Sequence, residues 1–197
     1  MIEKKHTLHW AIINATLTEI SENGIENLTA KKISQRANTS TGIIYHHFGT
    51  KEGLVFATYT ELTKDLKNRI DKVRKKHKKD PIKRLKETML VSFDKDLINN
   101  ENRSAWTQLW ASSVCDEKIN KLVVNYYDSL YSVIESDLLE FCDEAIAREH
   151  SLSLMSMIHG YWIEIMIAKN ASVEEAINAS NKCIDNASKV ERLKSLI

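Results

Sequence analysis

The sequence is short of everything that interrupts a helix: its 197 residues include one proline and five glycines. So few breakers exclude the many tight turns of an all-β chain and point to long helices with short connections. Cysteine is scarce too. Cys115, Cys142 and Cys183 are far apart, odd in number and in no CxxC or other metal-ligand spacing. They read as reduced thiols of a cytoplasmic protein, not as a disulfide framework. No apolar run approaches about 18 residues, so no membrane span is expected, and the N-terminus lacks the basic–apolar–small pattern of a signal peptide. There is no P-loop, GxSxG, HExxH or glycine-rich dinucleotide turn. The seven histidines (His6, His9, His46, His47, His77, His150 and His159) have no acid or thiol partners at useful spacing. Neither catalysis, a cofactor nor a metal site is expected.

What is present is an ordinary folding composition, 43% hydrophobic and 28% charged, which rules against wholesale disorder. The net charge of +1 conceals an asymmetry. Residues 1–80 hold 15 Lys and Arg against 9 Asp and Glu, whereas residues 81–197 hold 13 against 18. The front of the chain suits a polyanion and the back does not.

Apolar spacing predicts an all-α chain. Trp10, Ile13, Leu17 and Ile20 share one face of a helix over 7–23, which Gly24 stops. Thr29 caps a short helix over 30–37, Asn38-Thr39 makes a turn, and Ser40 caps a second short helix over 41–47. A long helix over 51–78 carries the stripe Val55, Tyr59, Leu62, Leu66, Ile70 and Val73. Its basic end, Lys67 to Lys79, reads as a solvated face. Asp80-Pro81 restarts the chain as N-cap and first helical residue, and marks the expected domain boundary. Further helices are expected over 82–98, 102–114, 117–141 and 145–168, and a last one opens on the capping box Ser172–Glu175. The expected organisation is a DNA-binding domain over 1–50, a connecting helix over 51–80 and a helical bundle over 81–197.

Two short helices across a tight turn, behind one longer helix, make a helix-turn-helix candidate. Ile33, Ala37, Ile44 and Phe48 can form its small core, which leaves Thr39, Ser40, Thr41, Gly42, Ile43, Tyr45 and His46 for a major groove. The stretch Asn38-Thr39-Ser40, Gly42, Ile44, Tyr45, His47, Phe48, Lys51 and Leu54 resembles the DNA-binding domain of the TetR family of repressors. Ile13, Ala15, Leu17, Ile20, Gly24 and Thr29 fall where that family expects them. Asn38 stands for its usual Gly and Thr39 for its usual Val. The resemblance implies that Ser40, Thr41, Gly42 and Ile43 face bases, and that Tyr45, His46 and Lys51 hold phosphates with help from Thr29 and Lys31. It also implies a homodimer on double-stranded operator DNA with a small-molecule effector.

The back of the chain is rich in amphipathic rings. Trp106 and Trp110 lie at i, i+4; Tyr126, Tyr127 and Tyr131 follow on the next helix, and Tyr161 and Trp162 on the one after, beside His159, Glu164 and Met166. Such rings either fill the core or box a quaternary ammonium. Ala105-Trp106, Leu109-Trp110-Ala111 and Ile158-His159-Gly160-Tyr161-Trp162 are similar to the choline-responsive subgroup of the family, whose members control conversion of choline to glycine betaine. Here His159 stands where an Asp is common, and Tyr45 where Ser is frequent. The resemblance implies an effector site of Trp106, Trp110, Tyr126, Tyr127, His159, Trp162 and Met166. It implies a dimer interface on the last two helices, with Met155, Ile158, Ile165, Ile177 and Ile184. A sensor of an uncharged, lipophilic molecule and a ligand-free architectural DNA-binding protein are the competing readings.

Overall fold

A computed structural model describes residues 8–194, with side chains described to residue 189. Nine α-helices make up the described residues: α1 (Leu8–Asn23), α2 (Ala30–Arg36), α3 (Thr41–Phe48), α4 (Lys51–Lys76), α5 (Pro81–Ser92), α6 (Asn100–Ser113), α7 (Glu117–Leu138), α8 (Glu144–Ile163) and α9 (Val173–Lys194). A π-helical turn, Glu164–Ala168, extends α8. None of these helices is long and apolar enough to cross a membrane. The chain forms two compact units, residues 1–64 with 99–123, and residues 65–98 with 124–197. The Asp80–Pro81 restart is therefore a helix junction inside the second unit, where Asp80 accepts from Lys83 N as the cap of α5.

In the first unit, α1 packs on α6 and α2. Ile12, Ile13, Ala15 and Ile20 are its buried face. Gly24 takes φ +76° where α1 ends, a conformation that costs glycine little. Gln108 of α6 then seals that end, accepting from Ile25 N at 2.7 Å and donating to Ile20 O at 3.3 Å. Glu19 is only 4% exposed and accepts from Arg36 of α2 at 3.0 Å. Arg36 also reaches Glu22. A carboxylate is buried at this cost only when paired, and the pair fixes α2 against α1.

The second unit is built around another buried acid. Asp137 of α7 is fully buried, and its Oδ1 accepts from Arg74 at 2.5 Å and from Arg84 at 2.8 Å. Arg84 also donates to the carbonyls of His77 and Lys78 and pairs with Glu140. One guanidinium thus satisfies carbonyls just past the end of α4 and ties them to α7. Ala176, Ser180, Ile184 and Ala187 are the buried face of α9, which packs on α8 and α5. The expected capping box is present: Ser172 N donates to Glu175 at 2.8 Å and Glu175 N to Ser172 Oγ at 3.2 Å.

α5 and α7 end earlier than the spacing predicts. α5 ends at Ser92, not 98: the Trp162 indole N–H donates to Ser92 O at 2.9 Å, and Asp94 closes a turn by accepting from Asp96 N. α7 stops at Leu138, and α8 begins at Glu144 because Asp143 caps it.

Asp137→Asn keeps the shape but removes the charge facing two guanidinium groups. The expected loss is about 3 kcal/mol of stability, the scale for breaking a buried pair from one side. Urea unfolding of the full chain checks it, and a midpoint unchanged from wild type counts against the clamp.

Candidate nucleic-acid interface and effector residues

Local rules build the reading helix. Thr29, in extended backbone, accepts from Lys32 N and starts α2. Asn38 takes φ +50°, which Asn tolerates better than most residues, and Thr39 N donates to Ser34 O at 2.9 Å. Ser40 then caps α3 by accepting from Ile43 N. Both cap hydroxyls accept from the backbone, so each keeps its O–H for an outside acceptor. α3 buries a single side chain, Ile44. Gly49 ends it at φ +74°. Gly53, in the next turn, admits no side chain, because a Cβ there would lie 2.2 Å from Phe48 O.

The sequence-predicted DNA residues lie together on this unit. Thr41, Gly42, Ile43, Tyr45 and His46 are all exposed on α3, Tyr45 at 52%. Thr29, Lys31 and Ser40 are exposed, and Thr39 and Lys51 half-buried. Lys51 Nζ donates to Glu26 O at 3.4 Å. Gly42 differs from Gly53: a Cβ added there meets only Ser40 Oγ, at 3.8 Å. Its lack of a side chain answers nothing inside the chain. Sequence reasoning missed two supports, the Glu19–Arg36 pair and His9, whose ring lies 5.3 Å from that of Phe48. Only their helical register could have hinted at either.

The seven expected effector residues fall into both units. In the first, Trp106 is buried and Trp110 half-buried, with ring centroids 5.9 Å apart. In the second, Tyr126 meets Tyr127 edge-on at 5.4 Å, and Tyr127 stacks on His159 at 4.5 Å and 10°. His159 Nδ1 bonds Met155 O at 2.8 Å. Burial holds the His159 imidazole below its ordinary 6.5 against the opposing pull of that carbonyl, and pushes the Tyr126 and Tyr127 phenols up. Trp162 and Met166 are buried, the Trp162 indole being bonded to α5. The structure therefore joins Trp106 to Trp110 and Tyr126 to Tyr127 and His159, and gives Trp162 a role in the core.

Comparison with known proteins identifies the chain. Residues 12–58 match the family of bacterial regulatory proteins, tetR family, and residues 81–187 match the C-terminal domain of BetI-type transcriptional repressors. The chain belongs to the BetI-type branch of the TetR family. It is 32% identical over 157 residues to the HTH-type transcriptional regulator BetI of Burkholderia cenocepacia, covering 80% of this chain and 81% of that one. It is 28% identical over 175 residues to BetI of Paraburkholderia xenovorans, covering 88% and 90%. Its fold matches a transcriptional regulator from Saccharomonospora viridis solved in complex with choline, at a TM-score of 0.74, 22% identity and coverage of 90% and 95%.

A BetI-type protein is a ligand-responsive transcriptional repressor and not an enzyme. Of the residues expected at a dimer interface, Met155, Ile158 and Ile184 are buried within their own chain, at 5%, 2% and 0% exposure. Ile165 and Ile177 are half-buried. α8 and its π-helical extension leave Leu152, Ile163 and Ile167 exposed.

Two outcomes follow from these placements. Gly42→Ala should leave the melting temperature no lower than wild type, since an added Cβ meets only Ser40 Oγ at 3.8 Å, yet weaken operator binding; unchanged affinity in a fluorescence-anisotropy titration contradicts a close approach at Gly42. For His159 the folded pKa lies below the unfolded one, so the unfolded chain binds more protons in acid. Its contribution costs nothing well above pH 6.5 and destabilises as pH falls through and below that value. His159→Gln should flatten that part of the stability–pH curve; an identical curve in the variant contradicts the assignment.

Proposed function

We propose that this repressor binds double-stranded operator DNA as a cytoplasmic homodimer through α3, and releases it on binding choline or a related quaternary ammonium compound. The observation that carries the DNA half is the exposed edge of α3, where Thr41, Gly42, Ile43, Tyr45 and His46 all face outward while Ile44 alone is buried. Small groups near the helix start suit base edges. The capped N-terminus with Tyr45, His46, Thr29 and Lys31 around it suits phosphates. Two copies of α3 reach successive major grooves when about 34–36 Å apart. Exposed Leu152, Ile163 and Ile167 offer the apolar surface for pairing.

Support for the effector half is the ring content of both units and the choline held by the fold relative from Saccharomonospora viridis. α4 runs unbroken from Lys51 to Lys76, through the division at Lys64–Asp65. An effector that binds better to a state in which α4 is displaced shifts the repressor off DNA, with a typical coupling of about 1–3 kcal/mol. A second reading, an uncharged apolar effector, is favoured by one observation: His159 stands where the choline-responsive subgroup commonly has an Asp, so the rings lack that carboxylate.

Operator release measured by anisotropy separates them. Choline at millimolar concentration should release a bound duplex, and 3,3-dimethylbutan-1-ol, its uncharged isostere, should not. Release by both, or by the alcohol alone, favours the uncharged effector, and release by neither removes both readings.

A further inference from the structure

The helix-turn-helix is not held by its own residues alone. α6, far along the chain, belongs to the same compact unit as α1, α2 and α3. Its contact with α1 includes a polar seam. Thr18 donates to Glu101 at 3.2 Å, and Ser21 to Asn100 O at 3.3 Å. Ser104 Oγ and Gln108 Nε2 each donate to Ile20 O at 3.3 Å, and Gln108 Nε2 also reaches Ser104 Oγ at 2.8 Å. Gln108 Oε1 accepts from Ile25 N at 2.7 Å. Asn100, Ser104 and Gln108 are spaced by four, so they share the face of α6 turned to α1.

A primary amide accepts and donates at once, and Gln108 does both across the end of α1. It takes the N–H just past Gly24 and gives to Ile20 O, which also accepts from Gly24 N. A carboxylate there would only accept, and an ammonium only donate. Gln108 thus bridges the φ +76° turn at Gly24, where the chain leaves α1 for α2. α1 packs on α2, and α2 on α3, so this corner sets how α3 is mounted. Hydrogen bonds are directional; turning α6 breaks or remakes them in steps, where an apolar seam would slide.

The opposite side of the same helix carries Trp106 and Trp110, with ring centroids 5.9 Å apart. Each lies two residues from Gln108, about 200° round the helix. A change of packing at these rings that turns α6 therefore moves Gln108 against α1.

We propose that Gln108 is a positioning residue for operator binding. It holds the α1–α2 corner in the geometry that presents α3, and it links that corner to the packing of Trp106 and Trp110. The link is reciprocal, so operator binding is felt at the two rings with no effector present. This role rests on α3 being the reading element and on no particular effector.

Fluorine resonances of the full-length protein labelled with 5-fluorotryptophan test it. Of its four tryptophans, Trp106 and Trp110 are assigned from Trp106→Phe and Trp110→Phe. A saturating duplex, selected from genomic DNA by the protein, should shift both resonances in wild type. In Gln108→Leu, operator affinity should fall roughly tenfold, the scale of one or two lost hydrogen bonds, and the shifts should vanish at saturation. Thr107→Ala, at the neighbouring exposed position of α6, should change neither. Gln108→Glu covers the case in which Gln108→Leu does not fold. Its carboxylate keeps the acceptor for Ile25 N and regains a donor only on protonation, so its affinity deficit relative to wild type should close below about pH 5. Wild-type ring resonances that ignore the duplex, an equal shift in Gln108→Leu, or a Gln108→Glu deficit independent of pH overturns the proposal. Failure of wild type to bind any duplex overturns it together with the reading of α3.

Discussion

The orientation of α3 hangs on the turn before it. A helix of eight residues with one buried side chain gains little from its own propensity and must be placed by its ends. Asn38 in the left-handed region reverses the chain, Thr39 N locks the reversal onto Ser34 O, and Ser40 caps the start. Gly49 ends the helix, and Gly53 lets the next one pass against Phe48 O. Upstream, the Glu19–Arg36 pair holds α2, and with it the turn, against α1. Nearly every side chain of α3 is thereby freed from structural duty and presented outward. That is the arrangement a groove-reading helix requires.

A repressor also needs an element with two arrangements that both ligands can bias. α4 has the position for this, since only Gly49 and Thr50 separate it from α3 and it ends where Arg84 gathers the carbonyls of His77 and Lys78. Arg74, within α4 itself, meets Arg84 on the same carboxylate, Asp137 of α7. Anything that shifts α7 therefore acts on the far end of α4 through a stiff, charge-assisted contact and not through soft packing. Tyr127 and Tyr131 lie on that same α7, two to three turns before Asp137.

The helix-turn-helix was legible in the sequence because its determinants are local. Caps at Thr29 and Ser40, Asn38 in the turn and Gly24 and Gly49 as stops all act within a few residues. The capping box at Ser172 and the restart at Asp80–Pro81 were readable for the same reason. What escaped were contacts closed through space. α5 ends where the Trp162 indole takes the Ser92 carbonyl, seventy residues away. That Met155, Ile158 and Ile184 are buried within their own chain also escaped, because α8 is apolar on more than one face, and periodicity does not say which face turns inward. Leu152, Ile163 and Ile167, the exposed ones, carry the same chemistry. The Tyr127–His159 stack joins residues 32 positions apart, and nothing in either segment alone announces it.

The central claim is that the outward edge of α3 meets the duplex. Placing a photo-activatable side chain at Thr41 or Tyr45 of α3, and as controls at Val114 and Val124, which are exposed outside the helix-turn-helix, tests this most directly. The target is a duplex selected from genomic DNA by the full-length protein. Irradiation should give covalent DNA adducts from positions 41 and 45 and none from 114 or 124. Specific binding that yields no adduct from α3, or adducts from the control positions alone, would contradict it.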